Sequence, residues 1–206
     1  MQSIIFTGQV AKTTESGMSV IAGTEQNPVL VFVKPMSNNG RAAVDAASPD
    51  DYVLVSGEVA EAKMGTQDPY YIIEAYQIEE TNTPAAFNKF QVIGRLGQQP
   101  VLRHTAKNNP VTNLSVAVGR GDSTVWIQVT AWGRQAETAV EYLGAGSVIA
   151  ATGVLKAPKP WGDPPRVNIE MTAFYIEFLS PPRERAQDSV MTAPVDDDYD
   201  YDEIPF

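Results

Sequence analysis

Two stretches of this chain repeat one another in the same order. "SGEVAEA" (56–62) is echoed by "TGVLKAP" (152–158), with Gly57 and Gly153 offset by 96. "EAYQIEE" (74–80) is echoed by "TAFYIEF" (172–178), offset by 98, and "TGQV" (7–10) by "IGRL" (93–96), offset by 86. Shared order with a growing offset predicts one ancestral unit present twice, with loops inserted in the second copy. The fold is therefore expected to be two similar small units.

Each copy reads as β-rich. The second offers "NKFQVIGRLG", "VTNLSVAVGR", "TVWIQVTAWG", "GSVIAATGVLK" and "RVNIEMTAFYIEFL", five runs bounded by Gly, Pro and Asn. Between the third and fourth, "RQAETAVEYLGAG" places Ala136, Ala139, Val140 and Leu143 at helical spacing before Gly144. Five strands with a helix between the third and fourth is the plan of an OB-fold, a small Greek-key barrel. The first copy reads the same way, with "GRAAVDAASPDD" as a shorter helix. The fold class is all-β: two tandem OB-folds, 1–82 and 86–180. After Ser180 the chain loses strand and helix periodicity and is loaded with Pro and Asp, so 181–206 is expected to be a disordered acidic tail.

Charge divides along the same boundaries. Residues 1–85 hold 4 Lys/Arg and 11 Asp/Glu, residues 86–182 hold 9 and 6, and residues 183–206 hold 2 and 8. The net charge of −10 thus conceals one basic segment, the second unit. The chain has no cysteine, which excludes disulfides, thiolate metal sites and a cysteine nucleophile. His104 is the single histidine, and no His or carboxylate cluster has metal-ligand spacing. No cofactor and no enzymatic activity are expected. With no signal-peptide pattern and no long apolar run, a soluble cytoplasmic protein is expected, with no membrane partner.

The strand "TVWIQVTAWG" says most about function. Side chains alternate faces along a strand. Val125, Ile127, Val129 and Ala131 form a core face, which leaves Trp126, Gln128, Thr130 and Trp132 on the other. Two tryptophans on an otherwise polar face have two readings. One is burial under a loop or at a subunit interface. The other is a platform for unpaired bases, since every base has a π-face to stack. Trp161, the third tryptophan, lies in "LKAPKPWGDPPR" beside Lys156, Lys159 and Arg166. Rings interleaved with cations suit a single strand, the rings taking bases and the cations phosphates. Arg95, Arg103 and Arg134 flank the face in sequence. Lys107 sits at a hairpin tip, "HTAKNNPV", where it either closes over a strand or serves solubility.

"NKFQVIGRLGQQPVLRHT", "NLSVAV", "VWIQVTAWGRQAETAVEYLGAGS" and "GVLKAPKPW" together resemble the bacterial single-stranded DNA-binding protein family over about 86–180. The resemblance implies an OB-fold that wraps single-stranded DNA, protecting it in replication, recombination and repair. It carries base stacking onto Trp126, Trp132 and Trp161, and backbone contacts onto Arg95, Arg103, Arg134 and Lys156; Lys107 and Lys159 join them from the reading above. It also implies four OB-folds per assembly, usually a homotetramer, or a homodimer where a chain carries two. The homodimer is the expectation here. One departure is the link "GRGDST", where family members commonly carry a long basic hairpin. The alternative on the same fold is an RNA-binding chaperone or translational regulator.

The first unit is acidic, lacks tryptophan, and has a candidate third strand, "PVLVFVKP", that is apolar on both faces. It is expected to serve assembly, with DNA binding concentrated in 86–180. Its alternative is a second DNA contact through Lys63, Tyr70 and Tyr71. The terminus "DDDYDYDEIPF" resembles the family's acidic tip. Asp202 and Glu203 would meet a basic rim on replication, recombination and repair proteins, while Ile204, Pro205 and Phe206 supply an apolar anchor. The acidic run would compete with DNA for the basic face. The location implied is cytoplasmic and nucleoid-associated.

Overall fold

The computed structural model describes residues 1–24, 26–82, 86–119 and 124–180. The acidic tail with Asp202–Phe206, and most of the "GRGDST" link, lie outside the described residues.

The first unit runs β1 (Gln2–Thr14), β2 (Gly17–Thr24), β3 (Asn27–Pro35), α1 (Asn38–Ala46), β4 (Tyr52–Met64) and β5 (Pro69–Glu80). The second runs β6 (Asn88–Leu96), β7 (Arg103–His104), β8 (Pro110–Val118), β9 (Val125–Trp132), α2 (Arg134–Tyr142), β10 (Val148–Leu155), β11 (Pro160–Trp161), β12 (Arg166–Val167) and β13 (Ile169–Ser180). Strand pairing closes a circuit in each. In the first it passes β1–β2–β3–β5–β4 and back to β1. In the second it passes β6–β8–β9–β13–β10 and back to β6. Only β3–β5 and β9–β13 are parallel. These are two tandem OB-folds of identical strand order.

Alternation fills both barrels. On β3, Val29, Val31 and Val33 are buried while Leu30 and Phe32 are half-buried. On β9, Ile127, Val129 and Ala131 are buried. The repeated glycines Gly57 and Gly153 permit close approach. A Cβ at Gly153 would stand 1.9 Å from the Thr172 carbonyl oxygen, and one at Gly57 2.2 Å from that of Glu74. Both positions face a bulge in the neighbouring strand. The helix α1 starts two residues before the stretch read from sequence, because Ser37 caps it: its Oγ accepts from the Gly40 N–H at 3.1 Å.

The barrels join edge to edge. β1 pairs antiparallel with β6, Gln2 opposite Val92 through Phe6 opposite Asn88. With the repeat offset of 86, Ile4 and Phe90 are equivalent positions and face each other, so the ladder has a local dyad there. It is a self-complementary contact of the kind found in two-fold dimers, made within one chain. The result is a continuous 11-stranded sheet. At the same junction the Asn88 side chain donates to the Leu155 carbonyl at 2.9 Å and accepts from its N–H at 3.1 Å. Gln2, the equivalent residue, donates to the Val59 carbonyl at 2.7 Å.

Tyr71 corrects the alternative reading of the first unit, in which it contacts DNA. It is fully buried and in phase with the inward residues Ile73 and Ala75, so it offers no surface contact. Its hydroxyl donates to the Asn168 carbonyl at 3.4 Å and accepts from the Glu170 N–H at 3.3 Å, which ties the first unit to the second. Burial raises the pKa of this hydroxyl well above its ordinary value. Lys63 is paired with Glu61 at 3.0 Å.

Replacing Tyr71 with Phe strips two backbone groups of their partner and should cost about 1–2 kcal/mol, read as a lower urea midpoint. The pH dependence follows from linkage. The folded protein keeps the Tyr71 proton while an unfolded tyrosine ionises near pH ~10. The contribution is whole below that pH and declines above it, by up to about 1.4 kcal/mol per pH unit. Tyr71→Phe should remove this component of the alkaline decline; an identical decline in the variant would refute the assignment.

Candidate nucleic-acid interface

The outer face of β6, β7, β8 and β9 brings four predicted residues into two rows. Residues opposite one another on paired strands point to the same side of the sheet. Arg95 lies opposite Ala117, and Ala117 opposite Trp126. Arg103 lies opposite Val111, and Val111 opposite Trp132. Each tryptophan thus stands in register with an arginine two strands away, about 10 Å at normal strand spacing. Trp126 is 50% exposed and Trp132 46%. They are six positions apart along the strand, roughly 20 Å.

Between the two rows the face is polar and tied down. Gln128 Nε2 donates to Ser115 Oγ at 3.1 Å, and Thr130 Oγ1 donates to Asn113 Oδ1 at 3.2 Å. Thr130 is buried by this contact, unlike its neighbours on the outward face. The ring of Trp126 lies on Gly97: a Cβ there would come within 2.5 Å of its Cζ3. Arg95 also donates to the Gly146 carbonyl, which braces the loop before β10. Lys107 sits exposed in the β7–β8 turn, beside Asn108 with φ 60°. Arg134 is exposed at the start of α2. Gly133, at φ 59°, turns the chain from β9 into that helix directly after Trp132.

Trp161 belongs to a separate two-stranded sheet, β11–β12, whose second strand lies against β4 of the first unit. Its cation is Arg166, which is opposite it in register and 5.7 Å from its ring centre. Sequence reasoning named Arg166 only as a neighbour; the hairpin spacing across "WGDPPR" was the available signal. Lys156 is engaged elsewhere, 3.5 Å from Glu170. With the exposed Lys159 it lines a cavity of about 400 Å³ between the units, opposite Gly23, Thr24 and Asn27. The structure therefore places Lys156 and Lys159 at the junction of the barrels.

Exposed rings paired with guanidinium groups, on a rigid sheet, are the parts needed to hold an unpaired polynucleotide. Residues 87–178 match the single-strand binding protein family. "Single-stranded DNA-binding protein 2" of Nostoc sp. is 32% identical over 109 residues, covering 50% of this chain and 85% of that protein.

The chain belongs to the single-strand binding protein family.

"Single-stranded DNA-binding protein B" of Bacillus subtilis is 28% identical over 113 residues, 50% of this chain and 99% of that relative. These matches span about half of the present chain. The likeness to the crystal structure of the wild-type single-stranded DNA binding protein from Thermus aquaticus extends further. It covers 90% of this chain and 96% of that one at a TM-score of 0.64 and 20% identity. The fold of both units is therefore shared with that protein.

Proposed function

We propose that this chain binds single-stranded DNA independently of base sequence and protects it during replication, recombination and repair. The observation that carries this reading is the pair of rows Arg95–Ala117–Trp126 and Arg103–Val111–Trp132 on one open face of a family domain. Trp126 and Trp132 stack bases, and Arg95, Arg103 and Arg134 hold phosphates. Trp161 stacks a further base with Arg166 behind it. Lys107 closes over the strand from its turn. Lys156 and Lys159 draw the backbone toward the junction, Lys156 more weakly because Glu170 already neutralises it. Residues 86–180 are then the DNA-binding domain. Residues 1–82 serve assembly, and 181–206 carry the tip that recruits partner proteins in a nucleoid-associated, cytoplasmic setting.

Assembly follows from the sheet. Its outward side around the β1–β6 ladder presents Ile5 and Ile93, 40% and 37% exposed. We assign this face to a second copy of the chain, so that a homodimer supplies four OB-folds.

Oligo-dT should quench the tryptophan fluorescence. Replacing Trp126 or Trp132 with Ala should weaken binding by about 1–3 kcal/mol each. Unchanged affinity in both variants would remove the stacking face, and preference for a matched RNA would move the reading to RNA. The log of the affinity should fall with log salt by about 0.7 per phosphate contact. Deleting Phe206 should abolish capture of replication and repair proteins while leaving oligo-dT affinity intact or slightly raised; undiminished capture would return the tail to a solubility role. Sedimentation should give twice the chain mass, and a monomer at micromolar concentration would sink the homodimer.

A further inference from the structure

The groove between α2 and the end of β13 enters the reading above only through Arg134. It encloses about 420 Å³ and is lined by Arg134, Gln135 and Thr138 on the helix and by Tyr175, Glu177 and Phe178 on the strand. Its position follows from strand register. β9 and β13 run parallel, with Thr130 beside Thr172 as the last pair. Two residues further along each strand stand Trp132, the last residue of β9, and Phe174, in the middle of β13. Both are exposed, Phe174 by 66%. Gln135 Nε2 donates to the Phe174 carbonyl at 2.8 Å, which fastens the start of α2 to the middle of β13. The bulge opposite Thr152 and Gly153 leaves Phe174 without a cross-strand partner. Consequently the next residue, Tyr175, faces solvent as well, at 60% exposure.

The first barrel is an internal control. At the positions of Arg134, Tyr142, Tyr175 and Phe178 it carries Asn38, Ala46, Gln77 and Glu80, and it closes by the same pairing. The fold does not require the cation or those three aromatic rings. Tyr76 stands where Phe174 stands, but beside Glu58 and Glu74, surroundings that repel phosphate. In the second barrel Arg134 has no ion-pair partner among the described residues. Glu177 lies in the same groove, on the strand side.

We propose that this groove carries the single strand one step beyond Trp132. A base stacks on the ledge formed by Phe174 and Tyr175, and Arg134 takes the phosphate that links it to the base on Trp132. The negative charge of Glu177 keeps that phosphate at the Arg134 side of the groove. The proposal rests on the single-strand reading above and names further residues of that site.

The test is oligo-dT affinity as a function of length in the full chain, for the double variant Phe174→Ala/Tyr175→Gln. A second variant, Tyr175→Gln alone, installs the residue that the first barrel tolerates at the same position. Affinity for a long oligo-dT should fall about ten-fold in the double variant and less in the single one. The loss should shrink as the oligonucleotide becomes too short to reach past Trp132, and the tryptophan quench at saturation should persist. Unchanged affinity at every length, or an equal loss at every length, would overturn the subsite. Absence of any quench in the unsubstituted chain would sink the binding reading itself, and the subsite with it.

Discussion

The antiparallel ladder between β1 and β6 is the contact on which the rest depends. In each closed barrel the first half of the first strand, β1 or β6, has an in-barrel neighbour on one side only, which leaves an open edge. Here each barrel covers the other's edge. Ile4 and Phe90 are both buried where the ladder crosses its local dyad. The ladder is extended at one end by the Ile93 N–H donating to the Met1 carbonyl at 2.7 Å. At the other end the Thr7 N–H donates to the Phe87 carbonyl at 2.9 Å, and the Phe87 N–H to Thr7 Oγ1 at 2.9 Å. Two small cores become one unit, and the second barrel's open face is held at a set angle to the first.

Duplication then allowed the two surfaces to diverge while the circuits stayed the same. Gly57 and Gly153 are retained because a neighbouring carbonyl occupies the space of any side chain. Surface positions carry no such constraint. The first barrel has Leu30 and Met36 on and just beyond its third strand where the second has Trp126 and Trp132. Its charge is acidic where the second is basic. Repeated fold and unrepeated surface together separate what the barrel needs from what its ligand needs.

Much of the fold was legible from local pattern. The alternation in "TVWIQVTAWG" assigned the buried and exposed faces of β9, and the spacing of Ala136, Ala139 and Leu143 located α2. The start of α1 was misread because apolar periodicity begins after the cap, and Ser37 sets the boundary through one hydrogen bond. The same alternation that sorted Trp126 from Ile127 also sorts Tyr71 inward, a conclusion obscured by the attraction of two adjacent tyrosines. The site was legible as residue types and much less as groupings. Trp161, Lys156 and Lys159 are neighbours in sequence, yet the tryptophan takes Arg166 while Lys156 takes Glu170.

By itself the sequence determined two copies of one β-barrel plan, the segregation of positive charge into the second, and the outward placement of Trp126 and Trp132. These depend on the period of a strand and on counts of charge, both written in consecutive residues. Only the tertiary structure decided which arginine stands in register with which tryptophan, that Trp132 and Phe174 each lie two residues past the last β9–β13 pair, and that the barrels meet through β1 and β6. Such facts belong to register between strands distant in the chain. Register is set by bulges, glycine contacts and barrel closure acting together, and no single stretch of residues encodes it.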